Sequence, residues 1–130
     1  MNHLELGNHS CVIRTAGGEI LTSDAHGILP PLTWLREDPV TLKGADVADK
    51  VIGKAAALLF CYGGARSIWA GMMSEAARDL LDTTDIAYAY GVLVPAILNR
   101  GGTDLCPMER RAMAIGDPAE AFALFDGLVK

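Results

Sequence analysis

A chain of 130 residues falls in the size range of one domain, and 51% apolar against 21% charged residues argue for a compact body and against disorder. A net charge of -5, with no run of Lys and Arg, argues against binding nucleic acid or an anionic membrane surface. The longest apolar run, residues 55–62, is far short of the ~20 residues of a membrane span, and no signal peptide is visible.

In chain order, residues 1–8 read as a flexible tail. Residues 10–15 and 19–22, either side of Gly17-Gly18, predict a β-hairpin. Residues 24–43 hold Gly27, Pro30, Pro31 and Pro39 and read as a long connection with one short helix at 32–35, packed down by Trp34 and Leu35. Residues 46–62 carry apolar side chains at Val47, Val51, Ala55, Leu58 and Tyr62, the spacing of a helix whose second half is apolar on nearly every side. Gly63-Gly64 should end it. A buried strand over 66–73, a helix over 74–81 capped by Ser74, and a strand over 86–90 follow. Pro95 interrupts residues 92–98, residues 99–104 form a loop, and two helices are expected at 107–115 and 118–128, the last capped by Asp117. The order implies one α/β domain over residues 1–130, with helices on a mixed sheet in a three-layer α/β/α sandwich. Three widely spaced cysteines, Cys11, Cys61 and Cys106, fit a reduced, cytoplasmic protein without a disulfide framework.

Three stretches carry a resemblance. They are Ala48-Asp49-Lys50-Val51-Ile52-Gly53-Lys54-Ala55-Ala56-Ala57-Leu58-Leu59, then Leu93-Val94-Pro95, then Asn99-Arg100 through Leu105-Cys106-Pro107-Met108-Glu109. Together they resemble a small, functionally uncharacterised bacterial family assigned to the cytidine-deaminase-like fold, over residues 10–125. The resemblance implies a fold and the place of a site. It can be tested against the chemistry of a zinc deaminase, which needs a His or Cys ligand two positions before a catalytic Glu and a P-C-x-x-C pair of ligands. The matching triplet reads Ile52-Gly53-Lys54, and the second junction, Met73-Ser74-Glu75-Ala76-Ala77-Arg78, holds no cysteine. His3, His9 and His26 have no spacing that would rebuild the site. No metal and no cofactor are expected.

Several residues could still carry chemistry. Asp49, Lys50 and Lys54, placed in the first two turns of the expected helix, would set ammonium groups at its positive end, where an anion would be welcome; alternatively Asp46 and Asp49 simply neutralise the lysines in water. Gly53 inside a helix costs roughly 1 kcal/mol against alanine, so another group must pack closely there or a ligand must approach. Cys106 at a helix N-cap would be an activated thiol, opposed by Glu109 in the same turn, or a plain structural residue. Asn99 and Arg100 could hold a carboxylate or phosphate, or form an ordinary turn. The reading that follows is a ligand-binding protein that keeps a deaminase-like pocket for a small anionic, nucleotide-like molecule, lined by Asp49, Lys50, Gly53, Lys54, Asn99, Arg100, Cys106 and Glu109. The alternatives are a non-metal enzyme using Cys106 as nucleophile or Lys54 as base, and a structural or regulatory subunit whose apolar surface pairs with itself in a homodimer or with a partner.

Overall fold

The computed structural model describes residues 4–98, 101–102, 104 and 106–129. Its elements are β1 (Cys11–Arg14), β2 (Ile20–Ser23), α1 (Leu29–Glu37), β3 (Asp46–Ile52), α2 (Lys54–Gly63), β4 (Ser67–Ser74), α3 (Glu75–Leu81), β5 (Ala87–Val94), α4 (Pro107–Ala112) and α5 (Pro118–Leu128). The strands form one sheet in the order β2-β1-β3-β4-β5, with β1 antiparallel to both neighbours and β3, β4 and β5 parallel. This is an α/β arrangement with a mixed sheet, as expected, and it is consistent with a three-layer sandwich.

The hairpin, β4, the Ser74-capped α3 and the Asp117-capped α5 lie where the sequence places them. Ser74 Oγ accepts from the Ala77 N–H and Asp117 Oδ1 from the Ala119 N–H, both at 3.1 Å. The connection after β2 holds a longer helix than expected. α1 begins at Leu29 because Pro30 and Pro31 fit the first turn, where no intrahelical N–H is needed. Trp34 and Leu35 do pack it down into the core. Strand β5 runs on past Tyr90 to Val94, stopping only at Pro95, and α4 ends early, at Ala112.

The main correction concerns residues 46–62. They form a strand and a helix, not one helix: β3 covers Asp46–Ile52, Gly53 is the extended N-cap, and α2 starts at Lys54. Asp46 therefore makes no helical pair with Lys50. It lies buried where β1, β3 and β4 meet, accepting from Arg14 at 2.8 Å, from Arg66 at 2.6 and 3.1 Å and from the Ser67 hydroxyl at 2.6 Å. The Arg66 guanidinium above all holds its carboxyl well below the usual range.

α2 is the hub of the helices. It packs against β3, α1, α3, α4 and α5, and every residue from Ala55 to Phe60 is buried. Tyr62 stacks on Phe122 of α5 with ring centroids 4.9 Å apart. Gly64 closes α2 in the left-handed region at φ 82°, letting the Ala65 N–H reach back to the Phe60 carbonyl.

A kink crosses the three parallel strands. The ladder skips the pairs Lys50–Gly71 and Gly71–Gly91, and core residues stand five apart on β3 (Val47, Ile52) and on β4 (Ile68, Met73). An odd spacing would put such pairs on opposite faces of a regular strand, so the kink returns both members to one core. Glycine is required at its centre: a Cβ on Gly71 would stand 2.9 Å from the Lys50 carbonyl oxygen, and one on Gly91 the same distance from that of Gly71. Gly71→Ala should lower unfolding free energy by roughly 1–3 kcal/mol, because the obstacle is backbone. Gly127→Ala in α5, where nothing lies within 4 Å, should raise it by up to about 1 kcal/mol. Urea unfolding of the two variants checks the contrast.

Candidate functional site

Two carboxyl groups flank the passage from β3 into α2, and they behave differently. The first belongs to Glu109 on α4. Gly53, in extended backbone at φ -100°, turns the chain out of the sheet and leaves the first amides of α2 without partners in their own helix. The Lys54 N–H donates to Glu109 Oε1 and the Ala55 N–H to Oε2, each at 2.7 Å. The Glu109 side chain is buried, and a Cβ on Gly53 would fall on its carboxyl group. The missing side chain of Gly53 is thus the space that the Glu109 carboxylate fills. Of the two causes expected for this glycine, close packing is the one observed, and the group that packs is a side chain from 56 residues away.

Burial pushes the Glu109 carboxyl above its ordinary value, while the two amides and the Lys54 charge pull it the other way. The positive end of α2 is consequently occupied by the protein's own anion. Lys54 also anchors the far end of α4, its ammonium donating to the Met113 carbonyl at 3.3 Å. A 320 Å³ cleft beside it is lined by Lys54, Ala76, Asp79, Leu80, Met113 and Gly116.

The second carboxyl is Asp49, which the strand assignment moves from a helix surface into the sheet. It stands opposite Cys11 on β1 and is only 5% exposed. Oδ1 accepts from the Val51 N–H at 3.2 Å, but Oδ2 is buried with no hydrogen-bond partner; the Cys11 thiol alongside is too weak a donor to satisfy it. Burial drives the Asp49 carboxyl up to about 7, against the opposing pull of the Val51 amide, the Cys11 thiol and the Lys50 amide. Cys11 is itself pushed far above the ordinary thiol range, by burial first and then by Asp49, so it is no nucleophile at neutral pH.

Asp49 lines a cavity of about 200 Å³ with Ser10, Ala25, His26, Gly27, Lys50 and Val51. The wall opposite β3 is the chain that leaves β2, held by the Ser10 hydroxyl, whose single proton is shared between the carbonyls of Ser23 (2.9 Å) and Ala25. Sequence reasoning missed Ser10 and Gly27, and weighed His26 only as a metal ligand. The available signal was Asp49 itself, a carboxylate set among Val47, Ala48, Val51 and Ile52, which as a strand could only be a buried polar residue.

Of the eight residues expected to line one site, the six that are described therefore separate. Gly53, Lys54 and Glu109 do converge, but on one another. Asp49 and Lys50 lie in β3 at the other cavity, and Lys50 is exposed. Cys106 is the N-cap of α4, as expected, with no side-chain capping bond, and Glu109 in its first turn faces α2. Asn99 and Arg100, like His3, lie outside the described residues. His9 bonds Asp24 at 2.8 Å. Among the described residues no three His, Cys, Asp or Glu side chains gather as a metal would require.

Glu109→Ala should destabilise the fold by roughly 2–4 kcal/mol, since two buried N–H groups lose their acceptor. Gly53→Ala should do comparable damage, and the double variant should cost less than the sum, because both break the same contact. Asp49 gives a pH signature. Folded, its carboxyl titrates near 7, and unfolded near 3.8, so the folded state holds the extra proton between these values. Stability should then fall as pH rises from about 4 to about 7, by up to about 1.4 kcal/mol per pH unit, and level off above. Asp49→Asn should remove that slope, matching the parent at pH 4 and exceeding it at pH 8 in urea unfolding. Parallel profiles of parent and variant would mean that Asp49 is ionised throughout.

Comparison with known proteins places the chain in a family. Residues 1–128 match the model of a domain of unknown function, DUF1893. A crystal structure of a DUF1893 family protein from Thermotoga maritima, determined at 2.70 Å resolution, is 26% identical, with a TM-score of 0.81 over 93% of this chain and 81% of that one. No curated protein matches. Among the described residues no helix is long and apolar enough to cross a membrane. The fold is thus shared with a solved relative, and this chain belongs to the DUF1893 family.

Proposed function

We propose that the protein binds a small polar molecule with an acidic group in the cleft at the carboxyl end of β3. The observation that carries this reading is Asp49, whose buried Oδ2 is left without a firm hydrogen bond and which lines a cavity. A buried acceptor left unpaired costs roughly 1–3 kcal/mol, and a group kept at that cost is a functional candidate. Its place agrees with the general habit of parallel sheets to bind ligands beyond the carboxyl ends of their strands. Lys50, on the same wall, supports an anionic ligand, as does Lys54 on the neighbouring cleft.

The anionic group is assigned to the Lys50 side and not to the first amides of α2, which Glu109 already holds. A cavity of about 200 Å³ lies below the usual range for drug-sized ligands, so only one part of a nucleotide-like molecule, its base or its phosphate, would enter. The order of hairpin followed by strands alternating with helices supports the cytidine-deaminase-like plan. The reading requires no metal. An enzyme built on Cys106 draws no such support, because Cys106 lines neither cleft.

Thermal-shift screening against nucleotides, nucleosides and phosphorylated metabolites tests the proposal. At least one compound should raise Tm in the parent, and the shift should vanish in Lys50→Ala and change its pH dependence in Asp49→Asn. A hit that Lys54→Ala abolishes and Lys50→Ala does not would move the site to the other cleft. No hit at all, at millimolar ligand, would sink the reading.

A further inference from the structure

We infer that the ligand of the Asp49 cavity is a nitrogen-bearing acid that enters nitrogen first, an N–H group towards Asp49 and the acid at the mouth beside Lys50. This rests on the ligand-binding reading above and adds to it which end of the molecule goes in.

The donors of the inner wall are spent. The Ser10 N–H donates to the Ser23 carbonyl at 3.0 Å, and its hydroxyl proton is shared between the Ser23 and Ala25 carbonyls. The Lys50 N–H donates to the Ser10 carbonyl at 3.0 Å, and the Ala25 N–H to the Ser23 hydroxyl at 3.1 Å. The Val51 N–H goes to Asp49 itself at 3.2 Å. The Cys11 thiol, opposite Asp49 on β1, is fully buried and lines no part of the cavity. What this wall has to spare is acceptors: Asp49 Oδ2, without a firm hydrogen bond, and the lone pairs of the Ser10 hydroxyl. An acid pushed in here would find no donor and would meet a buried carboxyl of like charge. An N–H group finds an acceptor that the fold leaves over.

The mouth has the opposite character. Of the lining residues, His26, Gly27 and Lys50 are exposed. Among the described residues Lys50 pairs with no carboxylate, and the His26 and Gly27 amides donate to no backbone carbonyl. A carboxylate or phosphate halted there meets the Lys50 ammonium, with the His26 imidazole and two spare amides on the same rim. Acceptors inside and a cation outside select molecules that carry both an N–H group and an acid. A cavity of about 200 Å³ admits the amine end of an amino acid or the edge of a nucleobase.

The test is isothermal titration calorimetry of the full chain at pH 8, where Asp49, driven by burial to about 7, is ionised and only accepts. Two matched pairs are the probes: adenosine 5′-monophosphate with ribose 5-phosphate, and glutamate with glutarate. Each pair shares its acid and differs in nitrogen. In at least one pair the nitrogen-bearing member should bind more tightly by about 10- to 100-fold, the range of one hydrogen bond to a charged group. The pair that responds names the source. Asp49→Asn should remove most of that advantage, and Lys50→Ala should weaken both members. If Asp49→Asn fails to fold, methyl groups that cap the ligand nitrogen and remove its N–H serve in its place. A nitrogen-free acid that binds as tightly as its partner overturns the inference and leaves the reading of a small acidic ligand standing. An advantage that survives Asp49→Asn overturns it too. So does an absence of binding by either pair, and the thermal-shift screen then decides whether the broader reading falls with it.

Discussion

The contact between Glu109 and the first turn of α2 is the constraint on which the helical part of the molecule depends. α2 is buried along almost its whole length, and a buried helix start cannot leave its amides to water. The usual remedy, a Ser, Thr, Asp or Asn at the N-cap, is absent, because Gly53 occupies that position. The acceptor comes instead from another helix, and that choice fixes several things together. It needs a glycine at 53 to leave room, a carboxylate long enough to reach two amides, and α4 docked with Glu109 facing inward. Lys54 closes the arrangement from the other side by binding the end of the same short helix. Six residues of α4 would be marginal as a helix by themselves; this pair of contacts holds them in place.

That interaction explains what two of the three stretches that carry the family resemblance do together. Gly53-Lys54-Ala55 and Cys106-Pro107-Met108-Glu109 do belong together in space, as a shared site would require. The partner of the helix end is a side chain of the protein, where the sequence suggested an outside anion. Nothing in local spacing distinguishes the two, since both need a positive helix end and a gap in side-chain density. Only the distance of 56 residues between Gly53 and Glu109, closed by the fold, decides between them.

Most of the fold was legible because its signals are local. The Gly17-Gly18 hairpin, the Ser74 and Asp117 caps and the Gly63-Gly64 stop each act within a few residues. β3 was not legible, for a specific reason. In a regular strand, core residues recur at even spacing, but the kink at Lys50 places Val47 and Ile52 in one core five residues apart, and Val47 with Val51 imitates a helical stripe that runs on into Ala55 and Leu58. Gly71 and Gly91 make the room the kink needs, so what permits it lies on neighbouring strands, outside the segment it disguises. Asp49 was hidden by the same error, since on a helix it reads as a solvated charge.

Glu109 and Asp49 show two outcomes of burying a carboxyl group in this protein. Both are carboxyl groups within a few residues of Gly53 in space or sequence, and burial raises both above their ordinary values. Glu109 has an amide for each oxygen, so its burial is compensated and its removal would damage the fold. Asp49 has the Val51 amide on one oxygen and no firm hydrogen bond on the other. An asparagine there would be easier to bury. A sequence whose local choices otherwise agree with its fold departs from that consistency where a site demands it. The carboxyl that costs the fold stability, and not the one that completes it, is therefore where the chemistry of this protein is to be sought.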